Sequence, residues 1–311
     1  MWQMWTPATA GLARGSRGSG RVPSALMATF ALALASMSLS LGVGTAPVEG
    51  ATKYKRVVAL TPFSANALAL MGVFPEAIGQ TLGGDRRYAS GLRTTPRLSL
   101  RHPLGPNMEI LQRRRPDLIF TSPEWRAGRS AMERIVEAKP YGKVVDADPT
   151  SVGGVFSKAR EIARVVDRKA RGARLIRSMK SSLRKALRGI DRRPTVMVVL
   201  GVGTNNPLAF RPDSWGGEIV RLAGGRLRPG GLTGGGFADI SNEQVVAEDP
   251  DVIIAVPHGD EAELTPEAKE DFVDQWPGIT SRVVFSEDNS LLQAGTDIGR
   301  TITKVRRFLR N

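Results

Sequence analysis

Apolar positions recur at steps of three and four along the longest regular stretch of the chain, Ser157 to Ile190. Ala159, Ile162, Ala163, Val166, Ala170, Ala173, Ile176, Met179, Leu183, Leu187 and Ile190 fall on one stripe, which predicts a single amphipathic helix. At about 1.5 Å per residue such a helix runs about 50 Å, the width of a domain. Gly153 and Gly154 precede it, Arg192, Arg193 and Pro194 follow it, and Gly172 is the expected site of a kink.

The segments flanking that stretch echo each other. Asn107 to Phe120 reads NMEILQRRRPDLIF, and Ser241 to Ala255 reads SNEQVVAEDPDVIIA. In each a Glu (Glu109, Glu243) is followed seven residues later by Pro (Pro116, Pro250), then Asp (Asp117, Asp251), then an apolar run. The pattern predicts a short helix, a Pro that stops it and a strand buried on both faces. Two such units around a domain-length helix predict two similar lobes with a rigid spacer.

The remaining elements follow in order. Arg56 to Leu60 predicts a strand, Ala65 to Met71 a helix closed by Gly72 and capped by Thr61 or Ser64, and Ala77 to Gly79 a second strand. This β-α-β opening makes a parallel sheet the expectation. Gly83 to Pro106 is Arg-, Gly- and Pro-rich and too long for a plain connection, so it is a candidate site loop. A helix from Arg129 to Ala138 and a strand at Val144-Val145 complete the first lobe. Strands at Thr195 to Leu200, Leu208 to Phe210 and Val283 to Phe285 build the second. Its helices are expected at Trp215 to Ala223, Thr265 to Gln275 and toward Leu309.

Composition alters this picture in three ways. With no Cys among 311 residues, disulfides, thiolate metal sites, a Cys nucleophile and lipid attachment through an N-terminal Cys are excluded. Net charge is +14, but between Lys158 and Arg193 stand 14 Lys or Arg against 3 acids, so much of the excess sits on the long helical stretch. A solvated helix face is the plain explanation, and contact with anionic lipid head groups is the alternative. No recognition motif or aromatic ladder accompanies the charge, so no nucleic-acid partner is expected. Third, Arg14, Arg17 and Arg21 precede an apolar run from Ala25 to Val43, and Val48-Glu49-Gly50 offers small residues before Ala51. Residues 1–50 therefore read as an export signal cleaved before Ala51, with a retained membrane anchor as the alternative.

The order and spacing of RVVALTPFSANALALMGV, NMEILQRRRPDLIF, WGGEIVRLAGG and GFADISNEQVVAEDPDVIIA resemble the periplasmic binding proteins of ABC importers for iron chelates, haem and cobalamin. The resemblance spans about Arg56 to Leu309. It implies an α/β fold of two Rossmann-like lobes with parallel-rich sheets joined by one long α-helix. The expected division is a signal peptide over 1–50, an N-terminal lobe over 51–154, a linker helix over 155–193 and a C-terminal lobe over 194–311. The implied protein is a monomeric periplasmic receptor for an iron–siderophore complex, with an ABC permease of the inner membrane as its partner.

The resemblance also implies roles for single residues. Glu109 and Glu243 match the one surface Glu per lobe that docks onto permease Arg residues. A Glu that merely suits the start of a helix is the plainer reading. Arg101, in SLRHPLGPNMEIL, Trp125, in TSPEWRAG, and Phe237 match ligand-contacting positions of hydroxamate binders, with Phe237 where that pattern has Trp. Arg86, Tyr88, Arg211 and Trp215 are further candidates. Arg donors and aromatic faces together suit a bulky, often anionic ferric chelate without touching the metal. No resident cofactor and no directly bound metal are expected, since His102 and His258 are the only two His and fall in different lobes. Haem, held by His102, Tyr88 or His258, is the second ligand reading and cobalamin the third.

An enzyme on a Rossmann-like fold is the rival class. Leu200-Gly201-Val202-Gly203-Thr204 follows a strand, but Asn206 and Pro207 stand where a dinucleotide fingerprint needs Gly and a helix. Gly230 to Gly236 lacks the Lys-Ser/Thr of a P-loop, and no G-x-S-x-G elbow occurs. No enzymatic activity is therefore expected.

Overall fold

Strand Val57–Ala59 (β1) is buried on both faces, and Thr61 turns the chain from it into helix Pro62–Leu70 (α1). The Thr61 hydroxyl accepts the Ser64 N–H at 3.1 Å, and Pro62 opens the helix where its missing N–H costs nothing. In this computed structural model the described residues are 52–80, 88–101, 103–190, 193–202, 207–229, 236–257, 264–286 and 290–310. The segment read as an export signal, Arg86, His102 and His258 lie outside them.

The first lobe continues with Ala77–Gly79 (β2), Arg97–Leu98 (β3), Leu100–Arg101 (β4), Gly105–Pro106 (β5), Met108–Arg113 (α2), Leu118–Thr121 (β6), Arg129–Glu137 (α3) and Lys143–Asp146 (β7). Its sheet has the order β3-β2-β1-β6-β7 with every pairing parallel, and β4 and β5 form a separate hairpin. Two helices, Val152–Val165 (α4) and Lys169–Ala186 (α5), lead to the second lobe.

That lobe holds Thr195–Val202 (β8), Leu208–Phe210 (β9), Trp215–Ala223 (α6), Arg226–Leu227 (β10), Phe237–Asp239 (β11), Asn242–Glu248 (α7), Val252–Pro257 (β12), Pro266–Asp274 (α8), Arg282–Phe285 (β13) and Ile298–Arg310 (α9). Its order is β11-β9-β8-β12-β13. β12 and β13 continue β8 in parallel, whereas the β8–β9 and β9–β11 pairings are antiparallel. Short β10 pairs with the amino half of β8 and β9 with its carboxyl half. The fold is thus α/β with two lobes, one sheet parallel throughout and the other mixed.

Alternation along the strands sorts the core. Val57 and Ala59 of β1, and Val252, Ile254 and Val256 of β12, face a central apolar cluster. Val58 and Leu60 face an outer cluster of the first lobe, and Ile253 and Ala255 one of the second. The central cluster is continuous between the lobes: it joins Phe63 and Leu68 of α1 to Ile219 of α6 and Ile302 of α9 through α4 and α5.

The single long helix expected over Ser157 to Ile190 is replaced by the α4–α5 pair. α4 ends at Val165, Asp167 takes a left-handed turn at φ 52°, and Arg168 leads into α5. The apolar stripe runs on through the break because both helices bury into one core, so periodicity alone does not register the turn. Gly172 is no kink either. A Cβ there would stand 2.3 Å from the Cβ of Ala163, so the glycine lets α5 lie directly against α4.

The pair is braced at several points. The Glu218 carboxylate of α6 accepts the Val152 N–H at the head of α4, at 2.7 Å. Arg171 of α5 donates to the Met71 carbonyl at the end of α1, at 2.9 Å. Arg306 of α9 donates to the Ala186 and Arg188 carbonyls at the end of α5, at 2.6 and 2.8 Å. Charges of the favourable sign therefore meet the ends of α4, α1 and α5, and each of these three contacts ties an element of one lobe to the spacer.

Candidate functional site

The echo in the sequence becomes one device built twice. Asn107 caps α2, its Oδ1 accepting from Glu109 N at 3.0 Å and Ile110 N at 3.2 Å. Ser241 caps α7 in a reciprocal box with Gln244. Glu109 and Glu243 each follow the first residue of their helix, and both are exposed. Hydrogen bonding at the helix start, from Ser241 and then from its own backbone N–H, holds the Glu243 carboxyl below its ordinary range.

Beyond each helix, the residue before the Pro is left-handed: Arg115 at φ 49° and Asp249 at φ 26°. Each following Asp then holds the head of its lobe's central strand. Asp117 accepts from the Lys55 and Arg56 N–H groups at 2.7 and 3.0 Å. Asp251 accepts from Thr195 N and Oγ1 at 2.7 and 2.8 Å, and these bonds lower its pKa. Reading the sequence finds the Pro-Asp repeat but misses this clamp, because the partners lie 56 to 62 residues away.

The same contacts orient the helices. Arg56, before β1, donates to the Arg114 carbonyl at the end of α2. Asp249, at the end of α7, accepts from Thr280 and Ser281, just before β13. Both helices therefore end at the amino edge of their sheet and begin toward its carboxyl edge, the side on which open α/β sheets hold ligands.

In the first lobe, Ser122 caps a short 3-10 turn over Pro123–Gly128, accepting the Glu124 N–H at 3.3 Å. Trp125 lies within it at φ −106°, ψ 31° and is 8% exposed. The β4–β5 hairpin lies over this turn. Gly105, at φ 84°, places its missing Cβ 3.3 Å from Trp125 Cβ, and a Cβ on Gly128 would meet the Leu104 carbonyl. Arg101 pairs with Gly105 across the hairpin and is exposed. Trp125 is thus packed under the hairpin in the outer apolar cluster of the first lobe, and Arg101 stands exposed on that hairpin. The fold also exposes two apolar side chains on either side of Glu109, Leu104 at 56% and Ile110 at 38%, which sequence reading passed over.

In the second lobe Phe237 is 38% exposed and meets Phe210 edge-on, with ring centroids 4.8 Å apart. The Arg211 Nε donates to the Phe237 carbonyl at 2.9 Å. Phe237 and Arg211 therefore form one surface unit.

Like Trp125, two further candidates lie in the core. The Tyr88 hydroxyl donates to the Gly79 carbonyl and its ring lies 4.7 Å from the Arg97 guanidinium. Trp215 donates through Nε1 to the Ser290 carbonyl at 2.9 Å. Both side chains are buried, since each ring supplies apolar area where its polar tip finds a carbonyl.

Next to the Trp125 turn stands Asp148. It is only partly covered as a residue, yet its Oδ1 is enclosed and accepts no hydrogen bond. Burial pushes its pKa up to about 7, with a further push from Glu124, against the lowering influence of Ser122 and Lys158. Among the described residues no group of three or more His, Asp or Glu could hold a metal ion. Leu200 to Val202 continue strand β8 rather than forming a phosphate-binding turn. The described residues of the two lobes present exposed Arg101, Glu109, Phe237 and Glu243.

Residues 57–280 match the profile of a family described as periplasmic binding protein. No curated protein matches the chain in sequence. Several solved structures share its fold. An ABC transporter substrate-binding protein from Listeria monocytogenes is 19% identical, covers 82% of this chain and 98% of its own, and superposes with a TM-score of 0.68. An Fe3+-hydroxamate transport system protein from Saccharomonospora viridis is 17% identical over 83% of this chain and 94% of its own, at 0.64. A periplasmic haem-binding protein from Pseudomonas aeruginosa is 17% identical over 82% and 92%, at 0.68. At these identities the likeness speaks for the fold.

Proposed function

The chain belongs to the periplasmic binding protein family, and we propose that it captures an iron–siderophore complex between its lobes and delivers it to an ABC permease of the inner membrane. The observation that carries this reading is the doubled lobe: one exposed Glu at the same helical position in each, beside a surface of Arg and aromatic groups. Two equivalent acids suit a two-fold-symmetric partner, each meeting the same cationic site on one permease subunit.

Ligand capture falls to Arg101 and Trp125 on one side and to Phe237 and Arg211 on the other. The guanidinium groups meet carboxylate, hydroxamate or catecholate oxygens of the chelate, and the rings cover its apolar parts. The iron stays inside its chelator. A resident cofactor has no part in this, nor has an enzymatic step. Haem is the second reading, supported by the likeness to haem-binding structures. Tyr88 does not favour it, because its hydroxyl is already bonded to Gly79. The exported, monomeric protein works in the periplasm after removal of residues 1–50.

The test separates capture from delivery. Reversing both charges, Glu109→Lys with Glu243→Lys, is expected to abolish uptake of the ferric chelate in cells that depend on this chain. The purified variant should bind the chelate within about twofold of wild type, since solvent-exposed charges that do not touch the ligand contribute little to its affinity. Full uptake by the double variant would remove the docking role, and lost binding would move the ligand site onto the α2 and α7 face.

A further inference from the structure

Two neighbouring helices carry charge of one sign. α5 holds seven Lys or Arg and α9 holds five, and neither holds a carboxylate. They lie side by side and parallel. A Cβ on Gly299 would meet Ser182, and seven residues further along each helix Arg306 meets the carbonyl groups around Arg188. Their common end is the amino edge of the second sheet, where Arg282 at the head of β13 donates to the Phe308 carbonyl. A hollow of about 430 Å³ runs between them, lined by Lys185, Arg300, Lys304, Arg306 and Arg307 with no acid.

Some of these cations have structural partners. Arg306 and Arg310 close the end of α5, and Lys304 reaches Ser286 Oγ. Arg174, Arg177, Arg184, Lys185, Arg300 and Arg307 are exposed, and none forms an ion pair with a carboxylate among the described residues. A face that is merely solvated mixes its signs, as α4 does in pairing Lys158 with Glu161 at 3.2 Å. Like charges three and four residues apart weaken a helix, so an uncompensated stripe calls for a counter-charge from outside the chain.

We propose that the α5–α9 face docks onto anionic phospholipid head groups. Each helix buries its apolar side, through Ile176 and Met179 or Ile302 and Val305, so only its outer side is free. Such a surface suits a plane of phosphates better than a nucleic-acid groove, which takes in a whole helix. Beyond this face the charge is mixed: α5 starts at Lys169 beside a second hollow, of about 580 Å³, where Lys53, Lys143 and Arg164 stand with Glu161 and Asp167. Contact at the amino edge turns the carboxyl edge, with Arg211, Phe237 and the starts of α2 and α7, away from the membrane, so this contact belongs to ligand capture and is released before delivery to the permease. Attraction of this kind reaches only about a Debye length, roughly 8–10 Å at ordinary salt.

The test is co-sedimentation of the full chain with vesicles of phosphatidylcholine alone or doped with phosphatidylglycerol. Wild type should bind the anionic vesicles, and added salt should release it. The variant Arg174→Gln, Arg177→Gln, Arg184→Gln, Arg307→Gln should lose about tenfold or more in binding, as expected for four head-group contacts, while its circular dichroism spectrum and chelate binding stay unchanged. Undiminished binding by the variant would overturn the proposal. So would equal binding to neutral vesicles, which would trace to the apolar run instead. Binding of a DNA duplex as tight as that of anionic vesicles would make the face a general polyanion contact and overturn its assignment to lipid.

Discussion

Asp148 shows how a single carboxyl can set the response to pH. Its folded pKa of about 7 stands above the ordinary 3.8, with burial as the main cause. The folded state therefore holds a proton that the unfolded chain gives up, and stability is lost as pH rises from about 4 to 7. Asp148→Asn keeps the shape without the titration. It should flatten the fall in melting temperature over that window and stabilise the protein above pH 7, by at most a few kcal/mol. An unchanged slope would mean that the carboxyl is solvated. Asp249 and Asp251 act in the opposite sense. Hydrogen bonds from Thr280 and Ser281, and from Thr195, lower their pKa values. Their contribution is present above the unfolded carboxylate range and is lost as pH falls through the folded values. Thr195→Val should therefore lower stability at neutral pH and flatten its fall toward acid pH, where wild type and variant converge.

Helices α4 and α5 carry the mechanical argument. The Glu218 contact with Val152 is a charge-assisted bond to a helix head, so Glu218→Ala should cost about 1–2 kcal/mol in denaturant unfolding. Gly172→Leu forces a side chain into the contact with Ala163 and should cost about 1–3 kcal/mol with a lower melting temperature. These two positions mark where the sequence was legible and where it was not. The apolar stripe located most of the helical region and much of its buried face, although Ala173 is exposed and Leu175, outside the stripe, is buried; a turn that stays within one core leaves the spacing intact. Glu218 reads as an ordinary first-turn acid because Val152 stands 66 residues away. Elements bounded by local chemistry were read closely, as with Trp215–Ala223 between its Ser214 cap and left-handed Gly224. The equivalent placement of Glu109 and Glu243 at the starts of α2 and α7 was legible because the lobes repeat. The burial of Tyr88 and Trp215 was not, because an aromatic with a polar tip looks the same in a core as in a cleft.

At the scale of the molecule, two sheets share one apolar cluster through α4 and α5, and the braces at Glu218, Arg171 and Arg306 hold the ends of those helices. A spacer packed into both lobes resists wide opening, so capture should proceed with modest closure rather than a large hinge motion. The central claim is that this family member binds a ferric chelate through the Arg101–Trp125 and Arg211–Phe237 surfaces. A tryptophan-fluorescence titration tests it most directly, with ferric hydroxamate, catecholate and carboxylate siderophores, haemin and cyanocobalamin as ligands. The account predicts saturable quenching by one siderophore class, at one-to-one stoichiometry, and an affinity reduced about tenfold or more by Arg101→Ala, in line with loss of a charge-assisted bond. Quenching by haemin alone, or quenching by a siderophore that Arg101→Ala leaves untouched, would contradict it.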